Sequence, residues 1–335
     1  MSLSLITSSL MCALACMSAV RADAHDQIRI AGSHTLEPIA QHVSQEFSKE
    51  TTLPSPSYKS VGSETALEML VKGRNMKDAD IAMLSHNIDA SELSQTKVGE
   101  VNDIIQIPVG LDGIVIANSR QGAKFSLTLK DLFLALAAEV PVKGKLEKNP
   151  YVTWNQIRPD LPKQKILVYG PPSTSGTRQV FVEKVITKQS EICPEYLEYA
   201  GKYAKIRHDG AYVVLFDQEQ AMIDELRLNR DALAIISYVL YIQNTDVVRY
   251  STINGIAPTY DNIVSGKYPV SRTLFMCVQG SHIAQVKGIR AYIELFLSED
   301  MIGDNGQLND LGLIPLSSTD RLKNRIEWLK KTSQL

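Results

Sequence analysis

Apolar and polar positions alternate along this chain with two different periods. QIRIAGS (27–33) alternates residue by residue and runs into a Gly-Ser turn, which predicts a short strand. TLEPIAQHVSQEF (35–47) then spaces Leu36, Ile39, Ala40, Val43 and Phe47 as one face of a helix. The same succession recurs. PSPSYKSVGS (54–63) predicts a second strand entering a Gly-Ser turn, and TALEMLVKG (65–73) predicts a helix. DADIAMLSHNI (78–88) is a third apolar run ending in small polar residues. Strand, small-residue turn and helix in repeated order predict an α/β fold with a largely parallel sheet.

Further along, DIIQIPVGLDGIVIANS (103–119) is a long β-rich stretch interrupted by Leu-Asp-Gly, of a length that could cross between domains. SLTLKDLFLALAAEV (126–140) predicts a helix with Ser or Thr near its start, and 141–163 a long polar loop carrying Trp154. KILV (165–168) predicts a strand, followed by GPPSTSGTRQVF (170–181) opening a helix that runs to about Lys188. A helix is expected within 208–229, and a buried strand with a helical turn at 232–242. A second long β stretch, YPVSRTLFMCVQG (268–280), is placed to form a return crossing, and helices at 283–299 and 318–332 close the chain.

With 335 residues, 44% hydrophobic and 21% charged, the chain is long enough for two domains with substantial cores. A net charge of −2 and the lack of a basic stripe argue against a nucleic-acid partner. The first segment, LSLITSSLMCALACMSAV (3–20), is apolar and short and ends in ADA (22–24). It fits a signal peptide over 1–24 with the mature chain starting near His25, although no Lys or Arg precedes the apolar run. Cys16 in ALAC lacks the leading Leu of a lipobox, so cleavage is expected rather than lipidation. Removal of the leader leaves Cys193 and Cys277, which could pair as one disulfide or stay as two buried thiols. No Cys/His cluster has metal-ligand spacing, and neither a metal nor a cofactor is expected.

The candidate chemistry sits at the turns. A helix N-terminus carries unpaired backbone N–H groups and partial positive charge, and Gly and Ser let an anion approach closely. GSHT (32–35), SVGSET (60–65), LSHN (84–87) and STSGT (173–177) all supply hydroxyls at such positions. Each turn alone reads first as a helix cap; four together, at strand carboxyl ends, point to an oxyanion cleft. Catalysis is a weaker reading. Ser175 does not lie in a G-x-S-x-G elbow, and a set of Ser175, His208 and Asp209 exists only on paper. No pair of carboxylates stands out for glycoside chemistry, so no enzyme is expected.

The chain resembles the periplasmic phosphate-binding proteins of phosphate ABC transporters, in a proteobacterial branch. IAGSHTLEPIA (30–40), VGLDGIVIANS (109–119), LTLKDLFLALAAEVP (127–141), NPYVTWNQIRPDLPKQKILVYGPPSTSGTRQVFVE (149–183), RHDGAYVV (207–214), INGIAPTYDNIVSGKYPVSRTLFMCV (253–278) and LNDLGLIPL (308–316) carry the likeness. The resemblance implies a two-lobed type II periplasmic binding protein fold with two crossing strands as hinge, near Asp112–Ile116 and Ser271–Met276. Lobe one is then discontinuous, 25–112 and 271–335, with lobe two at 113–270. It implies a monomer in the periplasm that captures inorganic phosphate and delivers it to a membrane ABC permease. The matching ligand positions are Ser33, Thr35, Ser63, Ser85, His86, Ser175, Gly176, Thr177 and Arg178.

Departures from the family pattern bear on specificity. His86 replaces the Arg that usually follows the third-turn Ser, and Gln179 replaces an Asp of many relatives. Ser173 and Thr174 stand where some relatives have an Asp that accepts the proton of hydrogen phosphate. These changes leave sulfate as an alternative ligand, and a secreted signalling or adhesion protein that retains the fold as a third reading. His86 is read either as a neutral loop imidazole bonded to backbone or as an anion contact that strengthens on protonation. The second reading predicts affinity falling as pH rises from about 6 to 8.

Overall fold

The computed structural model describes residues 26–72, 78–88, 103–215 and 219–333; the expected leader, with Cys12 and Cys16, lies outside them. The strands that build the main sheet are β1 (Arg29–Gly32), β2 (Ser57–Ser60), β3 (Ile81–Leu84), β4 (Ile104–Ser119), β5 (Val168–Gly170), β6 (Tyr212–Val214), β7 (Leu233–Ser237), β8 (Val248–Tyr250) and β9 (Ser271–Gln279). Their order is β2-β1-β3-β9-β4-β7-β5-β6, with β8 also paired to β4. The helices that matter below are α1 (Glu37–Glu50), α2 (Ser63–Lys72), α3 (Leu129–Leu136), α4 (Gly176–Phe181), α5 (Tyr238–Gln243), α6 (Ile289–Phe296) and α7 (Ser318–Thr332).

The parallel pairs fall into two groups. β2, β1 and β3 are mutually parallel at one end of the sheet, and β7, β5 and β6 at the other. Between them run two antiparallel strands. β4 pairs with β9 over its first half, where Asp112 faces Arg272 and Gly113 faces Ser271, and with β7 over its second half. One sixteen-residue strand thus belongs to both lobes. A bulge at Leu274/Phe275, opposite Pro108–Gly110, breaks the β4–β9 register close to that point.

Each lobe has its own core. α1 lays Ile39, Ala40, Val43 and Phe47 on lobe one, spaced as the sequence predicts, and Phe47 meets Tyr292 of α6 edge-on at 5.8 Å between ring centres. Lobe two packs β4 from Ile114 onward, α3, β5 and β7 around fully buried Trp154 and Phe181. Cys277 is buried with Ala31, Ala82 and Leu84 of lobe one, Cys193 packs against lobe two, and no disulfide joins them.

The structure revises three local expectations. The helix expected over 126–140 stops at Leu136, because Asn149 Nδ2 donates to the Leu134 and Ala137 carbonyls and Arg207 Nη1 to that of Ala135. Part of the expected 141–163 loop is a hairpin, Glu139–Val142 against Lys145–Lys148, and Trp154 opens a short helix. The α4 helix widens into a π-helical stretch over Val182–Thr187 before a last α turn at Lys188–Glu191.

Candidate functional site

Three turns of lobe one converge at the carboxyl ends of β1, β2 and β3. Gly32 ends β1 where a Cβ would lie 2.3 Å from the Tyr58 hydroxyl, so only glycine admits this approach. Next to it the Ser33 hydroxyl accepts from the Thr35 N–H at 3.3 Å, capping the 3-10 turn His34–Leu36. In the second turn Val61 and Gly62 donate to the Gly32 carbonyl, and Gly62 takes φ +84°, which suits glycine. Ser63 at the head of α2 and Ser85 after β3 bring their hydroxyls within 3.1 Å of each other, and the Ser85 N–H also donates to Ser63 Oγ. Both serines are fully buried, and His86 beside them nearly so.

Lobe two brings one turn to this place. After β5, the Pro171-Pro172 step leads to Ser175, whose hydroxyl caps α4 by accepting from the Thr177 N–H at 3.2 Å. Gly176 is the point of contact across the cleft. A Cβ built on it would lie 2.2 Å from Ser85 Oγ, 2.7 Å from Ser63 Oγ and 3.2 Å from His86 Nδ1. The backbone of Thr174 approaches Gly62 equally closely, with its carbonyl oxygen 2.9 Å from a Cβ there. Ser63, Ser85, His86, Ser175, Gly176 and Thr177 therefore form one buried cluster, half from each lobe.

Arg178 lies elsewhere. Its guanidinium stacks 4.6 Å above the Tyr212 ring and donates to the Pro171 carbonyl at 3.4 Å, so it braces the Gly170–Ser175 turn from within lobe two. From the sequence Arg178 is expected to meet the anion directly; in the structure β6 sets Tyr212 under the turn and the guanidinium rests on that ring. The Tyr212 hydroxyl donates to the same carbonyl at 2.7 Å, and burial pushes its pKa up to about 12 against an opposing pull from Arg178. Burial pushes Tyr203, deeper in lobe two, up to about 12 as well. A phenol whose pKa is raised on folding stabilises the fold below the unfolded value near 10 and loses that contribution as pH rises through the folded value. Unfolding monitored by the tyrosinate absorbance should therefore show stability holding to about pH 10 and falling steeply from there toward 12.

A buried cation at the lobe crossing, Arg272, is not among the residues that the sequence reading singled out. It sits on β9 at the crossing, 6% exposed. Its Nε donates to Asp112 Oδ2 at 2.8 Å, and its Nη2 lies 2.6 Å from the same oxygen and 3.1 Å from Thr35 Oγ1. Its Nη1 is buried with no hydrogen-bond partner among the described residues. The other oxygen of Asp112 accepts from the Tyr238 and Val239 N–H groups at the start of α5. Hinge, first turn and lobe two are thus tied through one ion pair. A usable signal existed in the sequence: a lone Asp in VGLDGIVIA and a lone Arg in PVSRTLFM, opposite charges in two apolar crossing strands.

Two openings flank this ion pair. A cavity of about 280 Å³ is lined by Thr35, Gln41, Ser237 and Leu240, and one of about 600 Å³ by His86, Gln179, Ser271 and Arg272. Hydroxyls, backbone N–H groups and one guanidinium can desolvate and hold a tetrahedral oxyanion. The paper triad is not assembled. Asp209 is held by Arg207 through Nε at 2.8 Å and Nη2 at 2.6 Å, which pulls its carboxyl below the ordinary range, and the Ser175 hydroxyl is engaged in its cap.

Comparison with known proteins agrees with this architecture. The family model of a PBP superfamily domain matches residues 18–300, and the chain belongs to that superfamily. It is 20% identical over 292 residues to Protein SphX of Synechococcus elongatus, covering 85% of this chain and 76% of SphX. It is 21% identical over 306 residues to the phosphate-binding protein PstS of Staphylococcus haemolyticus, covering 90% and 84% of the two chains. In fold it is similar to a putative phosphate ABC transporter substrate-binding protein of Clostridium perfringens, solved with bound phosphate. That match has a TM-score of 0.62 at 18% identity and covers 87% of this chain and 100% of the other.

Proposed function

We propose that this PBP superfamily member binds inorganic phosphate between its lobes and delivers it, outside the cytoplasmic membrane, to an ABC permease. The observation that carries the reading is the meeting of Gly176 with Ser63, Ser85 and His86 across the cleft. An interlobe contact between neutral donors only, with a buried guanidinium behind it, serves an anion better than any nucleophilic chemistry. The names of the relatives supply the choice of phosphate among tetrahedral anions. Within this reading Ser33, Thr35, Ser63, Ser85 and His86 face the anion from lobe one and Ser175, Gly176 and Thr177 from lobe two, while Arg272 takes the cationic part first expected of Arg178.

Sulfate is the second reading, and one feature favours it. Asp112, the carboxylate at the hinge, already has both oxygens engaged by Arg272 and α5, so it is poorly placed to accept a phosphate proton. Calorimetry of the mature chain with phosphate, arsenate and sulfate decides between them. Phosphate binding that survives excess sulfate supports the proposal; equal affinities give the sulfate reading, and no heat from any of the three overturns both. Ser175→Ala should weaken phosphate binding by roughly 1–3 kcal/mol, since one oxyanion oxygen loses its hydroxyl. It should also lower stability by about 1 kcal/mol through the lost cap, read by urea unfolding without ligand.

A further inference from the structure

A cavity of about 550 Å³ lies in lobe two, apart from the cleft. Its place follows from the register of β4. Ile114 pairs with Ser237 at the cleft end, whereas Ala117 and Ser119 pair with Tyr250 and Val248 of β8 at the other end. The five residue steps from Ile114 to Ser119 span about 17 Å at strand rise. Three cations line the cavity, Arg120, Lys124 and Arg249, and no carboxylate does. None of the three makes an ion pair among the described residues, which is unusual where half of the charged side chains are acidic. Arg120 is held in place by a bond from Nη1 to the Thr245 carbonyl, and Arg249 Nε is buried without a hydrogen-bond partner.

The remaining wall is aromatic. Tyr241 and Tyr250 meet edge-on with ring centres 5.9 Å apart, and Phe125 forms an apolar floor. Cations without ion-pair partners among the described residues, sharing a cavity with two tyrosine rings, suit a ligand with two unlike ends: a phosphate for the guanidinium groups and a planar ring for the tyrosines. The volume matches a small molecule rather than a folded partner. We propose that this cavity is a second anion site, for a small organic phosphate bearing a planar ring, of the nucleoside monophosphate class. It is independent of the cleft and of what the cleft binds.

The test is calorimetry of the mature chain with AMP, adenosine and ribose 5-phosphate, in inorganic phosphate just sufficient to fill the cleft. AMP is expected to bind, with affinity falling as salt rises, and each of its two halves at least about tenfold more weakly. The double variant Arg120→Ala, Arg249→Ala should lose AMP binding by at least about tenfold while its titration with inorganic phosphate is unchanged. Tyr250→Ala, on an exposed residue, should weaken AMP but not ribose 5-phosphate. No AMP heat, AMP heat unaltered in the double variant, or ribose 5-phosphate binding as tightly as AMP would each overturn the assignment. The phosphate titration of the same samples reports separately on the cleft.

Discussion

Gly176→Val is expected to abolish phosphate binding, with an apparent affinity loss of at least ~100-fold, while leaving each lobe folded. The first atom of any side chain at this position falls 2.2 Å from Ser85 Oγ and 2.7 Å from Ser63 Oγ, well inside contact distance. Neither serine can step aside, because each is buried and bonded to the other. The lobes must therefore stay apart, and a closed state that is rarely populated binds in proportion to its population. Gly176 is also the first residue of a helix, where valine is tolerated, so unfolding by heat without ligand should shift little. Calorimetry with phosphate reads the loss, and small-angle scattering should find the variant as open with phosphate as without it. A variant that stays open yet binds phosphate undiminished would show that the cleft is not the ligand site.

Arg272→Ala should cost more in stability than any other single change at the hinge, roughly 3–5 kcal/mol, because it strands the fully buried Asp112 carboxylate. Combining Arg272→Met with Asp112→Asn removes both charges yet keeps an oxygen for the Tyr238 N–H. That double variant should recover most of the stability in urea unfolding. It should not recover phosphate binding if Arg272 is the cation of the site. Full recovery of binding would reduce Arg272 to a structural role. Arg178→Ala makes the contrast: its guanidinium leaves only a ring and a long bond to Pro171, so affinity should fall far less than for Arg272.

The α/β fold was legible because its evidence is local, whereas its division into two lobes came from the resemblance to the phosphate-binding proteins. Helical spacing in 35–47 and the Gly-Ser turns after β1 and β2 identify parallel strand–turn–helix units without knowledge of their neighbours. That the turns carrying Ser63, Ser85 and Gly176 gather at one place was expected, since ligands collect where parallel strands end, while the individual ligand positions, His86 among them, came from the resemblance. The hinge ion pair was not legible in the same way. Arg272 and Asp112 lie 160 residues apart, and an isolated charge in an apolar strand names no partner until the register of β4 on β9 is known. Arg178 kept its packing hidden for a related reason. It stands in the most conspicuous motif of the chain, but its surroundings are set by Tyr212, on a three-residue strand inside HDGAYVV too short to show a period. Side-chain chemistry can be read from a motif; its direction needs the packing.

The sharing of β4 between lobes also sets an order of events for a growing or refolding chain. Lobe two has its own core of residues that are contiguous apart from Ile314, so it can form as soon as Val270 is available. Lobe one cannot. β9 lies between β3 and β4 in the sheet, and without it both strands keep an open edge and a bare apolar face. Loop closure between the two ends of lobe one is less costly once the intervening segment is already compact. Arg272 arrives with β9, so Asp112 waits, without its cation, in the unfinished hinge until this last strand of the sheet is laid down. Assembly of the binding cleft and completion of the fold are then the same step, and a chain that stalls before it presents a folded lobe two beside a sticky, unpaired strand edge.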